Sequence, residues 1–156
     1  MVGAVPEIMI RPAALDEPAV RELLVEVLDE LAQRYGGSGD DTPVADDDFA
    51  APNGAFFVAS AGGRLIGCAG WRRHGGDAEL KRMFTAKAAR GRGLGRRLLA
   101  TVEESAREAG CPRIILETGD RQPEAVALYE SAGYVRIENF GFYKDEEGVL
   151  SFAKPL

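Results

Sequence analysis

One stretch constrains this chain more than any other: ARGRGLGRRLLA, positions 89–100. Glycines at 91, 93 and 95 suit a tight turn. Leu94, Leu98, Val102 and Ala106 then recur on one helical stripe, with Gly110 as its stop. The residues before the turn, AELKRMFTA, read as a strand. A strand that runs through a glycine turn into a long amphipathic helix sets sheet and helix side by side, and that requires an α/β arrangement.

The flanking segments extend the pattern. EIMIRPA reads as a first strand stopped by Pro12, and LDEPAVRELLVEVLDELAQRYGG as a helix with Val20, Leu24, Val27, Leu28 and Leu31 on its apolar side. SGDDTPVADDDFAAPNG is a polar loop with one short helix. AFFVASAGGRLIGCAGWRR is a hairpin, and HGGD turns it into AELKRMFTA, the third strand of a meander. After the glycine-turn helix come the buried strand RIILET and the helix QPEAVALYESAG, with Pro123 at its start and Gly133 past its end. The closing strands YVRIENF and VLSFAKPL lie around DEEG. The expected fold is one α/β domain over residues 1–156. Its central sheet is mixed and mostly antiparallel, with helices on both faces.

Composition narrows the function. Nineteen Lys and Arg stand against 25 Asp and Glu, for a net charge of −6, so a general nucleic-acid binder is not expected. Two cysteines, Cys68 in an apolar run and Cys111 beside Pro112, have no CxxC spacing, and no metal is expected. MVGAVPEIMIRP has no basic start or long apolar segment. The sequence therefore predicts no signal peptide, no membrane span and a cytoplasmic location.

Arg90, Arg92, Arg96 and Arg97 crowd a helix entrance that already carries positive dipole charge, at a cost of about 0.3–1 kcal/mol for each exposed cation. An anion in the turn, phosphate or diphosphate, would reverse that sign. The alternative is an exposed basic turn, its arginines solvated or paired with Glu103 and Glu104. A P-loop would need GxxxxGK[ST], which is absent. Gly91 and Gly93 fit the GxGxxG dinucleotide pattern but Arg96 takes its third place, and the strand before is charged. A dinucleotide oxidoreductase is thus a remote alternative, with Glu117 as its ribose-binding acid.

RGRGLG also matches the pattern Arg/Gln-x-x-Gly-x-Gly/Ala, and QPEAVALYESAGY is similar to Asn-x-x-Ala-x-x-Leu-Tyr-x-x-x-Gly-Phe. Together, in this element order, they resemble the GNAT superfamily of acyl-CoA N-acyltransferases. The resemblance is close over roughly residues 55 to 140. Gln122 stands where many members carry Asn, and Gly133-Tyr134 replaces Gly-Phe. It implies an acetyltransferase that uses acetyl-CoA as co-substrate. The backbone of Met83, Phe84 and Thr85 would pair with pantetheine, with Gln122 in contact. Arg90, Gly91, Arg92, Gly93, Leu94, Gly95 and Arg96 would hold the diphosphate.

Acyl transfer to an amine needs a deprotonated amine, alignment, and a proton for the leaving thiolate. Tyr129 stands where many members place a tyrosine beside the coenzyme sulfur, which implies a general acid. Without the resemblance it reads as a packed helix aromatic. Glu79, in the strand where members often carry a base, is the candidate proton acceptor, with an ion-paired strand face as its alternative and Glu117 as a second choice. His74 is expected to be exposed. The acceptor is a small-molecule or peptide amine. Aspartates 40, 41, 46, 47 and 48 could draw in a cation, or Arg72, Arg73 and Arg82 a carboxylate. A homodimer is compatible with the resemblance, and so is a module that binds acyl-CoA without transferring it.

Overall fold

Continuous runs of buried residues in β3 (Arg64–His74) and β4 (Asp77–Thr85) build the middle of the sheet, which is covered on both faces. The computed structural model describes residues 6–37 and 39–156. Residues 1–5, the start of the N-terminal segment, and Ser38, the first residue of the aspartate-rich loop, lie outside the described residues. The strands are β1 (Ile8–Pro12), β2 (Gly54–Ala61), β3 (Arg64–His74), β4 (Asp77–Thr85), β5 (Arg113–Gly119), β6 (Val135–Ile137) and β7 (Val149–Pro155). The helices are α1 (Pro18–Tyr35), α2 (Leu94–Glu108) and α3 (Pro123–Ser131), with single 3-10 turns at Asp46–Phe49 and Lys87–Ala89. The strand order is β1-β2-β3-β4-β5-β7-β6, and every pairing is antiparallel except β4 with β5. With one parallel pair, the sheet is not the doubly wound parallel sheet that a dinucleotide oxidoreductase requires.

Each face of the sheet carries its own core. On one face Leu94, Leu98, Leu99, Val102 and Ala106 of α2 pack with Trp71, Ile114, Leu116 and Phe152, and Tyr129 and Tyr134 join them. Fully burying each of these leucines is worth roughly 1.5–3 kcal/mol, so the stripe fixes how α2 lies on the sheet. On the other face Val20, Leu23 and Val27 of α1 pack with Phe56, Val58, Cys68 and Phe84. The α1 stripe is centred one residue from the expected one. Leu23 is buried where Leu24 is only half-buried, because a helix begun at Pro18 turns Val20, Leu23 and Val27 inward together.

Two departures shape the site. The expected strand YVRIENF keeps only three residues. Asn139 donates through Nδ2 to the carbonyls of Lys144 and Val149, both at 3.3 Å, and folds residues 138–148 into a turn-rich flap. The second lies in the sheet. β4 and β5 pair only at Ala78–Ile114 and Glu79–Ile115, and then separate. The β3–β4 register shifts between Cys68 and Gly70, and Arg82 sits opposite that bulge with φ +57°, a left-handed conformation uncommon for a side-chain-bearing residue. The Cys68 thiol, which burial pushes up to about 12, donates to the Arg82 carbonyl at 3.1 Å. A bulged strand twists more steeply, which opens a cleft between β4 and β5.

Candidate active site

The cleft has a cavity of about 360 Å³. β4 supplies residues 80–85 as one wall, and Leu116–Thr118 of β5 the other. Past Glu79 the facing edges of these strands pair with no strand among the described residues, so their amides and carbonyls are available to an extended ligand. Arg90, Gly91, Gly93, Leu94 and Gly95 close one end.

That end is the entrance of α2. Gly91 and Gly93 hold φ of +81° and +76°, so glycine is what allows the turn. Gly93 is the cap residue, no side chain caps the helix, and its first turn has no acid. The first intrahelical bond runs from Arg97 N–H to the Gly93 carbonyl, which leaves the amides of Leu94, Gly95 and Arg96 without a helical partner. The arginines do not all turn inward. Arg90 bonds the Thr85 carbonyl at 3.0 Å and pairs with Glu30. Arg96 donates to Ser131 Oγ at 2.7 Å, and Arg97 to the Ile8 carbonyl at 3.3 Å. Arg92 is exposed and makes no ion pair among the described residues. Glu103 pairs with Lys154 and Glu104 with Arg107, so neither neutralises the turn. Arg92 and Arg96 do not line the cleft; the remaining anticipated ligand-binding residues (Met83, Phe84, Thr85, Arg90, Gly91, Gly93, Leu94, Gly95 and Gln122) do.

Tyr129 is 7% exposed and lines the same cleft. Among the described residues its hydroxyl has one polar neighbour, Met83 Sδ at 4.0 Å. Burial raises its pKa above the ordinary phenol value, so it is a neutral donor across the physiological range.

Glu79 is not brought to the cleft. It is 2% exposed, accepts from Arg72 Nε at 3.0 Å, and lines neither this cavity nor the adjoining one. The cause is β4's alternation ahead of the bulge, which turns Glu79 into the ion pair with Arg72. Glu117 occupies the junction instead. It lines the cleft and also a second cavity of about 600 Å³ that shares Leu31, Asp40, Lys81, Thr118 and Gln122 with it. Its Oε2 accepts the Tyr143 N–H at 3.1 Å, while its Oε1 is shut from solvent and has no hydrogen-bond partner among the described residues. Burial pushes this carboxyl above its usual range, and Glu79 and Asp40 push the same way. The Tyr143 amide and Lys81 oppose them. Gly141 lies directly over the carboxylate, where a Cβ would come within 2.3 Å of Oε1.

The aspartate-rich segment divides between two tasks. Asp46 pairs with Arg21, and Asp48 with Arg72, away from the cavities. Asp40 accepts from Thr42, from Tyr143 Oη at 2.8 Å and from Arg82, with Lys81 at 3.6 Å. Arg72, Arg73 and Arg82, the candidate carboxylate binders, are engaged by Glu79 and Asp48, by backbone carbonyls of Pro52 and Ala109, and by Asp40. Sequence reasoning missed the flap: Gly141 and Tyr143 lie between the expected strand YVRIENF and the turn DEEG, in residues assigned to neither. The cluster NFGFY, with a glycine among aromatics, was the available signal. His74 is exposed as expected and packs on Phe140. No group of three or more His, Cys, Asp or Glu among the described residues could hold a metal ion. No helix among them is long and apolar enough to cross a membrane.

A mixed sheet that parts beside a glycine-built helix entrance is the architecture of acyl-CoA N-acyltransferases. The family model described as Acetyltransferase (GNAT) family matches residues 24–134. The chain is 36% identical over 146 residues to a protein described as an IAA acetyltransferase from Azospirillum brasilense, covering 90% of this chain and 95% of that one. Its fold superposes with TM-score 0.78 on a putative acyl-CoA N-acyltransferase from Klebsiella pneumoniae, at 27% identity over 96% of this chain and 97% of the other. A GNAT family acetyltransferase from Elizabethkingia anophelis, solved with acetyl-CoA bound, shares the fold at 18% identity and TM-score 0.67, over 96% of this chain and 98% of its own. The chain belongs to the GNAT acetyltransferase family, and it is an acyl-CoA-dependent N-acetyltransferase.

Proposed function

We propose that the chain moves the acetyl group of acetyl-CoA onto a primary amine by direct attack within a ternary complex, with Glu117 as proton acceptor and Tyr129 as proton donor. The observation that carries this reading is that both groups border one cleft, with protonation preferences suited to opposite roles. Binding follows the same geometry. The unpaired β4 backbone at Met83, Phe84 and Thr85 receives pantetheine as an added strand, beside Gln122. The amides of Gly93, Leu94, Gly95 and Arg96 receive the diphosphate, with Gly91 giving the close approach and Arg90 and Arg92 supplying charge. The Elizabethkingia anophelis relative solved with acetyl-CoA bound supports this donor.

Glu117 takes a proton from the ammonium, and the amine lone pair then forms the C–N bond to the thioester carbon. As the C–S bond breaks, the Tyr129 hydroxyl protonates the thiolate and is reprotonated by the proton leaving nitrogen. A carboxyl whose pKa is raised by burial accepts a proton more readily than an ordinary glutamate. Glu117 replaces Glu79 here because Glu79 has Arg72 as its partner and no access to the cleft.

Tyr129→Phe is expected to lower kcat on the order of 10²- to 10⁴-fold while coenzyme A affinity, read by calorimetry, changes less than two-fold. Glu117→Gln should remove the acid limb of the kcat/KM profile, which in the parent rises with pH through a value above 4.5, the ordinary glutamate value. Unchanged kcat in the first variant, or an unchanged limb in the second, refutes that residue's role.

A further inference from the structure

The second cavity carries information on the acceptor. We infer that it takes an amine with a second ammonium group, a linear di- or polyamine without a carboxylate, held at the rim by Asp120, Glu146 and Glu147. The inference rests on the acetyl-transfer reading of the cleft for the position of the reacting nitrogen.

The charge is one-sided once existing partners are counted. The cavity wall holds carboxylates at Asp40, Asp41, Glu117, Asp120, Glu146 and Glu147, against the cations Lys81 and Arg121. Lys81 is engaged by Asp40 and by Thr42 Oγ1 at 3.2 Å. Arg121 donates to the Arg34 carbonyl at 3.0 Å and sits over the Tyr35 ring. Lys81 is therefore compensated by Asp40, while Arg121, held by neutral partners, leaves one positive charge against the three rim carboxylates. Asp120, Glu146 and Glu147 make no ion pair among the described residues. Two elements bring them to one rim: the end of β5 and the flap, joined by the Asp120 N–H to Gly148 carbonyl bond at 2.9 Å.

The carboxylates do not stand alone. The cavity is continuous with the acyl-donor cleft through Glu117, whose Oε1 is buried and has no hydrogen-bond partner among the described residues. A wall of Leu31, Tyr35 and Val149 suits a short methylene chain between two charged ends. One nitrogen would lie at Glu117 beside the thioester, and the other among the rim carboxylates. An amino-acid acceptor fits poorly, because Arg72 and Arg73 are engaged away from this cavity and Arg82 is held by Asp40.

Three acceptors of matched length separate the readings: 1,4-diaminobutane, n-butylamine and 4-aminobutyrate, which end in ammonium, methyl and carboxylate. Binding to the full chain with coenzyme A present is measured by calorimetry, and turnover separately by thiol release from acetyl-CoA. The diamine is expected to bind about ten-fold more tightly than butylamine, with 4-aminobutyrate weakest. Raising salt to about 0.5 M should compress the difference. Asp120→Asn combined with Glu147→Gln should bring the diamine-to-butylamine ratio toward one. Equal or weaker diamine binding, or a ratio untouched by that double substitution, overturns the inference whatever the turnover. Selective diamine binding without thiol release leaves the diamine site standing and instead refutes the placement of its nitrogen beside the thioester.

Discussion

Asp40 shows how one side chain can tie the acceptor wall to the sheet. Burial alone would raise its pKa, but Lys81, the Thr42 hydroxyl and amide, and Arg82 together lower it from 3.8 to about 2. Tyr143 Oη also donates to it, so the aspartate segment, β4 and the flap meet at this one carboxylate. Because its folded pKa is depressed, its contribution is fully present above pH 4 and is lost as pH falls toward 2. The shift corresponds to about 2 kcal/mol. Asp40→Asn should therefore lower Tm by about 5 °C at pH 7. Thermal melts of both proteins from pH 7 down to pH 2 check this. The gap should close between pH 4 and pH 2, and a gap that persists unchanged to pH 2 would assign the loss to geometry rather than ionisation.

Among the elements, α2 has its stability and its ligand affinity set against each other. Its apolar stripe is buried throughout, yet its entrance has left-handed Gly93 as cap, no side-chain cap and no acid in the first turn. A helix so built forgoes about 1 kcal/mol of capping and adds cation–dipole repulsion. Arg92→Glu should reverse both signs. Without ligand, the helix entrance gains an anion and the protein melts slightly higher, by about 0.3–1 kcal/mol in stability. With coenzyme A, the same carboxylate opposes the diphosphate, so Kd should rise at least about ten-fold. Melting curves with and without coenzyme A read both effects. A variant that loses stability in both states would show that the entrance is not built around an anion. The glycines and arginines of this entrance were legible in the sequence because turn chemistry and helix polarity are local. The stripe of Leu94, Leu98, Val102 and Ala106 was legible for the same reason. Glu117 and Glu79 were not separable there. Their difference depends on a register shift at Cys68–Gly70 in the neighbouring strand, and on a flap that no local periodicity announces.

Across the molecule, function follows from where the sheet stops being continuous. β1 through β4 form one antiparallel body, and β5, β7 and β6 another. Two residue pairs of β4 and β5 join them beneath α2. Element order and helix placement were readable from residue patterns. The insertion of β7 between β5 and β6 was not, since it is a choice among partners distant in sequence. That arrangement leaves the β4 edge from Leu80 to Thr85 exposed to the cleft, with amides that a sheet would otherwise satisfy. Hydrogen exchange can read those amides directly. In the absence of ligand, a peptide covering residues 80–86 should exchange faster than the paired β2–β3 hairpin. Coenzyme A should slow that peptide and the one spanning the α2 entrance, leaving the hairpin unchanged, because the ligand would complete hydrogen bonds only along the open edge. Uniform slowing over the sheet would mean that binding stabilises the fold as a whole without adding a strand. No slowing of residues 80–86, in a protein whose Tm still rises with coenzyme A, would place the pantetheine arm elsewhere than on β4.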